Sequence, residues 1–280
     1  MSGRVLSIQD LSCVGRCSLT VALPVLSAMG VECAVLPTAV LSTHTGFPGP
    51  QCLDLTDRLA DFSAHWAQQG ICFDAVEVGY LSDPAQARTV GDILTRFGKF
   101  VVLDPVMGDN GRLYRGISPD HPEALKTLCK QADVLLPNVT EAALLAGLPY
   151  RQEPEDDFLR ELAQGLLALG PDSVLITGVR REDKVGFFGR SPSDGSFSFF
   201  EDYVPRSLHG TGDLFAAAFT GAWMAGRSVP EAGALAARFV RRCVSATGAV
   251  TPFGASFETV LPWLWQQLSG PESPESSKSC

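Results

Sequence analysis

The sharpest chemical signal in the chain is His209-Gly210-Thr211-Gly212-Asp213, which runs straight into an apolar helical stretch. Two glycines let the backbone turn tightly and approach a ligand closely. The N–H groups of the first helical turn then point at whatever sits there, and the dipole favours an anion. A carboxylate at Asp213 is an odd companion for bound phosphate alone, because like charges repel. It makes sense as a base that takes a proton from an attacking hydroxyl, while the N–H groups hold charge building on a transferred phosphoryl group. The plainer reading makes Asp213 a helix N-cap. The pentapeptide alone leaves both open.

Three further clusters carry polar groups. In Pro137-Asn138-Val139-Thr140-Glu141, Asn138 and Glu141 are three apart and share one face of the turn that opens a helix. An amide and a carboxylate there suit a hydrated Mg²⁺ that also touches phosphates. Taken alone, a capping box is the simpler account. Asp104-Pro105-Val106-Met107-Gly108-Asp109 ends a buried strand in a carboxylate, and Asp109-Asn110-Gly111 marks a flexible turn able to close over a ligand. Ser42-Thr43-His44-Thr45-Gly46 offers small hydroxyls and one histidine to a small polar ring. A lone histidine is more often structural than catalytic.

The elements that must position these groups read as alternating strands and helices. Strands are expected at 5–8, 33–40, 75–78, 100–103, 133–136 and 173–176. Helices are expected at 18–29, 57–69, 84–97, 122–131 and 155–169, with Pro24 implying a kink or a late start in the first. This alternation indicates βαβ units and a parallel sheet. Asp10, Tyr80, Asp104, Asn138 and Thr177 fall just after strand ends. Open α/β sheets bind ligands at that edge. Segments 184–189 and 197–203 read as an antiparallel pair, and 213–225, 230–247 and 257–268 as three helices. Residues 270–280, rich in Pro, Ser, Glu and Lys, are expected to be a disordered tail behind a single domain over 1–269.

The bulk numbers set limits. With 280 residues, 45% hydrophobic and 19% charged, the chain has the composition of a folded α/β protein rather than a disordered one. Its net charge of −9 argues against non-specific nucleic-acid binding and against an anionic membrane surface. The eight cysteines form no Cys-x-x-Cys pair, and no zinc-ligand spacing occurs. No run of 18 apolar residues and no signal-peptide pattern is present, so a soluble cytoplasmic protein is expected.

In this order the motifs resemble the ribokinase-like superfamily and, within it, the pyridoxal (vitamin B6) kinases. The resemblance runs from Val5 to about Leu268. It rests on Val5-Leu6-Ser7-Ile8-Gln9, Ser42-Thr43-His44-Thr45-Gly46, Gly79-Tyr80, Asp104-Pro105-Val106-Met107-Gly108-Asp109, Pro137-Asn138 with Glu141, and Gly210-Thr211-Gly212-Asp213-Leu214-Phe215-Ala216. Each motif alone is weak. The ordered set is specific, because sugar kinases of the superfamily share the last motif but not the opening ones.

The resemblance implies an α/β three-layer sandwich, with a mostly parallel central sheet and helices on both faces. It implies ATP-dependent phosphorylation of the 5′-hydroxymethyl group of pyridoxal, pyridoxine or pyridoxamine in a homodimer, with Mg²⁺ required and K⁺ a candidate activator. Asp213 would be the base, and Gly210, Thr211 and Gly212 the anion hole. Asn138, Glu141 and Asp104 would organise the metal and phosphates. Thr177 and Gly178 would lie along the nucleotide, and His44, Thr45 and Tyr80 would contact the vitamin ring.

One residue departs from the family. Asp10 stands where vitamin B6 kinases typically carry Ser after the opening Ile-Gln. Ionised Asp only accepts hydrogen bonds, so it would favour the vitamer with the strongest donor, pyridoxamine. The plainer reading has Asp10 capping a turn, with Ser12 or Thr45 on the ring. The departure keeps hydroxymethylpyrimidine kinase as the alternative activity, although that branch often carries Cys where Asp213 stands. A non-catalytic binder on the same fold is the rival from another class, and the presence of Asp213, Glu141 and Asn138 counts against it.

Overall fold

The computed structural model describes residues 3–248 and 252–268. The expected tail at 270–280 lies outside the described residues. Eleven strands are described: β1 (Arg4–Ser12), β2 (Glu32–Leu41), β3 (Cys52–Asp54), β4 (Ala75–Val78), β5 (Val101–Leu103), β6 (Gly108–Asp109), β7 (Arg112–Leu113), β8 (Val134–Leu135), β9 (Ser173–Arg181), β10 (Lys184–Ser191) and β11 (Gly195–Asp202). The helices are α1 (Leu19–Ala28), α2 (Thr56–Gln68), α3 (Pro84–Phe97), α4 (His121–Cys129), α5 (Val139–Ala146), α6 (Asp156–Leu167), α7 (Thr211–Met224), α8 (Val229–Ala246) and α9 (Leu261–Leu268).

Nine strands form one sheet in the order β11-β10-β9-β8-β5-β4-β1-β2-β3. The pairings from β9 through β8, β5, β4 and β1 to β2 are parallel. Those of β2 with β3, β9 with β10 and β10 with β11 are antiparallel. Successive strand residues face opposite ways. Leu6 and Ile8 of β1 enter one core, with Leu59 of α2, Val90 of α3, Leu125 of α4, Ala142 of α5 and Leu162 of α6. Val5 enters the other, with Val25 of α1, Ala218 of α7, Phe239 of α8 and Leu264 of α9. The result is the expected three-layer sandwich. A central strand covered on both faces is apolar throughout, yet β4 holds Glu77 among its four buried residues.

Several boundaries differ from the sequence reading. Strand β1 does not stop at residue 8 but continues through Asp10 to Ser12. Its register with β2 slips between Gln9, opposite Pro37, and Leu11, opposite Val40. Proline cannot donate to a ladder, and the slip leaves Asp10 within an irregular step. Strand β9 runs past Thr177 and Gly178 to Arg181. Gly178 has φ 72, and the pairing with β10 skips it. Bulges of this kind re-aim side chains and cluster beside functional sites. Helix α9 starts at Leu261 rather than 257, after a turn. Helix α1 keeps Pro24 in its interior. Strand β3 and the separate β6–β7 hairpin were not foreseen from the sequence.

Candidate active site

The mouth of α7 is built around Gly210, the residue that caps the helix, with φ 80. A Cβ there would stand 2.0 Å from the Arg16 carbonyl oxygen. Both facts require glycine. Asp213 is therefore the third residue inside the helix rather than its N-cap, and no side chain caps the first turn. The leading N–H groups remain open to a ligand. Burial pushes the Asp213 carboxyl up to about 6, the Asp10 charge adds to the rise, and the facing backbone N–H of Ser18 opposes it. The residue is half-buried. A carboxylate tuned towards neutrality is suited to accept a proton at physiological pH.

Asp10 lies on one side of this base. It is buried, and both its oxygens already have donors: Ser12 Oγ donates to Oδ2 at 2.9 Å and Ser18 Oγ to Oδ1 at 2.5 Å. Burial still raises its pKa against those two bonds. The Tyr80 hydroxyl is pushed up to about 12 by burial, then by the Asp10 charge. His44 has both ring nitrogens engaged. The Gly46 N–H donates to Nδ1 at 3.1 Å, so Nε2 carries the proton and donates to the Pro252 carbonyl at 2.6 Å. The ring also packs on His209, with centroids 4.6 Å apart. His44 thereby ties its own turn to the Pro252 and His209 segments. Thr45 is exposed in the turn beyond it.

Ser18, the donor to Asp10 Oδ1, carried no signal in the sequence. Its φ of 50 and ψ of −131 match the first central position of a type II′ turn, where glycine dominates. For an L-residue such a conformation costs on the order of 1–3 kcal/mol.

On the other side of Asp213 lies a group of carboxylates. Glu141 and Asn138 form a complete capping box on α5. Asn138 Oδ1 accepts from Thr140 N–H at 2.8 Å and Glu141 N–H at 3.0 Å, while Glu141 Oε2 accepts from Asn138 N–H at 2.8 Å. Glu141 Oε1 also accepts from Met107 N–H at 3.0 Å, and Asn138 Nδ2 donates to the Gly108 carbonyl at 2.8 Å. The box thus pins the Asp104–Gly108 loop against α5.

Asp104 is buried, and its pKa is raised by desolvation and then by the charges of Glu141, Asp213 and Glu77. Glu141 is raised as well, chiefly by burial. Asp104 Oδ2 stands 3.5 Å from where a Cβ on Gly212 would lie. None of Asp104, Glu141, Glu77 and Asp213 takes part in an ion pair with Lys or Arg among the described residues. Carboxylates crowded without a counter-charge fit a cation. The described residues hold no group of three or more ligating side chains. An ion here would complete its shell with water and phosphate oxygens, as Mg²⁺ does.

A cleft of about 330 Å³ opens from the mouth of α7. It takes in Asn138, Thr177, Gly178, Thr211 and Gly212, which the sequence singled out, and brings Asn138 and Thr177 into a strand bridge. It also takes in Asp109 of the expected ligand-closing turn and Phe215 of the α7 motif, and Tyr114, Val204, Arg206 and Val244, which the sequence did not single out. The last four come from the end of the β6–β7 hairpin, the chain after β11 and helix α8, and none lies in a motif. Asp10, His44, Thr45 and Tyr80 do not line this cleft. Asp213 therefore stands beside the cleft that Thr211 and Gly212 line, with Asp10 near it outside that cleft.

The sequence profile of the phosphomethylpyrimidine kinase family matches residues 23–256. The pyridoxal kinase PdxY of Rubrobacter xylanophilus is 30% identical over 84% of this chain and 84% of its own length. The pyridoxal kinase of Lactobacillus plantarum has a crystal structure that superimposes with a TM-score of 0.89 at 34% identity, covering 95% of this chain and 97% of its own. A candidate phosphomethylpyrimidine kinase of Bacteroides thetaiotaomicron, crystallised with pyridoxal, gives 0.89 at 35% identity, covering 98% of each chain. Matched over nearly its whole length, the chain belongs to the phosphomethylpyrimidine and pyridoxal kinase family of ribokinase-like proteins.

Proposed function

We propose that this protein is a pyridoxal kinase, which transfers the γ-phosphoryl group of ATP to the 5′-hydroxymethyl group of a B6 vitamer. The observation that carries the reading is the position of Asp213, a raised-pKa carboxylate in the first turn of an uncapped helix whose Thr211 and Gly212 line the long cleft. The relatives' names supply the substrate class. The long cleft takes the nucleotide, with its phosphates against Thr211 and Gly212. The vitamin ring lies on the other side of Asp213, towards Asp10, Tyr80 and His44.

Asp213 accepts the proton of the 5′-hydroxyl as that oxygen attacks the γ-phosphorus and ADP leaves. The N–H groups of the first turn of α7 hold the charge on the moving phosphoryl group. Asp104 and Glu141 would hold Mg²⁺, which neutralises phosphate charge when bound. Asn138 fixes the loop that carries Asp104. The same reading carries K⁺ as a candidate activator, a homodimer and a cytoplasmic setting, all of which rest on the family. No helix among the described residues is long and apolar enough to cross a membrane.

The test is ADP release with pyridoxal, pyridoxine, pyridoxamine and hydroxymethylpyrimidine as acceptors. At least one B6 vitamer should exceed hydroxymethylpyrimidine tenfold or more in kcat/KM. A preference for the pyrimidine would move the chain to the thiamin branch suggested by the family profile. ADP release with none of the four would favour a binding protein.

A further inference from the structure

We propose that Ser18 is a positioning residue that locks the base Asp213 to the ring-side carboxylate Asp10. The inference deepens the kinase reading and rests on it. Three observations carry it. Ser18 stands at the head of α1, where a serine hydroxyl normally caps the helix, yet its side chain makes no capping bond. The hydroxyl turns away and donates to Asp10 Oδ1 at 2.5 Å in a buried setting. The backbone holds φ 50 and ψ −131, which glycine would adopt freely and serine does not.

A strained residue persists only where its surroundings over-determine it. Here the hydroxyl bond to Asp10 holds the Arg16–Ser18 turn against the mouth of α7, where a Cβ on Gly210 would stand 2.0 Å from the Arg16 carbonyl oxygen, three residues before Asp213. Local preference alone would select glycine. A serine at this position is explained by what its hydroxyl does. Its carbonyl also accepts from the Val21 and Ala22 N–H groups at 2.9 Å each, so the bridge is anchored to the first turn of α1. The geometry therefore couples occupancy of the ring pocket, felt by Asp10, to the orientation of the base.

Ser18→Gly is the test, because glycine accepts the backbone angles and deletes only the hydroxymethyl group. The expected result is a kcat about 10- to 100-fold lower, since misplacing a catalytic group by an ångström costs up to about that factor. KM for ATP should stay within about twofold. Ser18→Ala, which keeps the strain, should melt about 2–4 °C below Ser18→Gly. The second readout is a double-mutant cycle with Asp10→Asn. If the hydroxyl acts through Asp10, the double variant should lose no more in kcat than the worse single one. A Ser18→Gly enzyme with kcat within twofold of wild type would overturn the inference, and so would losses that multiply independently. Failure of the wild-type protein to phosphorylate any vitamer would overturn the kinase reading itself, which separates the two failures.

Discussion

Asp213 was legible because its neighbours announce it: two glycines, then a carboxylate, then an apolar helix. The structure removes the alternative, since Gly210 takes the cap position and Asp213 sits inside the first turn. Asp10 was legible as a departure but not as a contact. A carboxylate at a strand end should look for a donor on the substrate. Ser12 and Ser18 already supply two, so the ring must compete for the remaining lone pairs. Ser18 was not legible, because its role follows from a backbone dihedral that no residue type signals. Replacing Asp10 by Ser should lower kcat/KM for pyridoxamine, whose ammonium group is the strongest donor among the vitamers. A lost hydrogen bond to a charged group is worth about 1.5–3 kcal/mol, and the two serines already in place put the loss near the lower end, about tenfold. The measurement is kcat/KM for all three vitamers in both proteins. An equal small drop for all three would show that Asp10 does not select among them.

Among the elements, those with strong periodicity or clear stops were readable. Strand β4 and helix α3 have the expected limits, and Asp83 caps α3 by accepting from the Ala85 and Gln86 N–H groups at 2.6 and 3.0 Å. Strands β1 and β9 were read too short, because Asp10 and Thr177-Gly178 look like loop residues. Both strands instead pass through a register slip at those points. The hairpin β6–β7 is too short to leave a pattern. Helix α5 shows how one pair of residues can serve two purposes. Its capping box is complete, yet Glu141 also belongs to the carboxylate group facing Asp104. Glu141→Ala should lower stability by about 1 kcal/mol for the lost cap, with a further cost for the freed Met107 loop. If Glu141 also helps hold the metal, the Mg²⁺ concentration at half-maximal rate should rise several-fold. A lowered Tm with an unchanged Mg²⁺ titration would leave Glu141 a purely structural residue.

At the scale of the molecule, the parallel centre followed from strand–helix alternation and the antiparallel β10–β11 pair from its own two segments, whereas the antiparallel pairing of β3 on β2 did not. The apolar side of the cleft was also hidden, because α8 and the segment after β11 meet it only once the chain is folded. One whole-molecule property comes from the acids under the sheet edge. Burial holds Glu77 up to about 7 and Asp213 up to about 6, and raises Asp104 and Glu141. All are raised above unfolded values near 4. The folded state therefore keeps protons that the unfolded chain releases, and this stability is lost as pH rises through the folded pKa values. His121 and His209, lowered by burial, work in the opposite direction below about pH 6.5. Between pH 6.5 and 8 the metal-free protein should lose Tm, Glu77→Gln should flatten the slope, and Mg²⁺ with nucleotide should restore Tm most at pH 8. A Tm that climbs over this interval in the metal-free protein would show that these acids are not held protonated.

The central claim is that Asp213 takes the proton of the acceptor hydroxyl, and the most direct test is the turnover of Asp213→Asn, which keeps the shape of the side chain. With the preferred vitamer and saturating Mg·ATP, kcat should fall about 10²- to 10⁴-fold, the usual contribution of a general base. ATP affinity, measured separately by titration, should hold within a few-fold, because the long cleft does not take in Asp213. A folded variant that binds ATP and turns over within a few-fold of wild type would contradict the account.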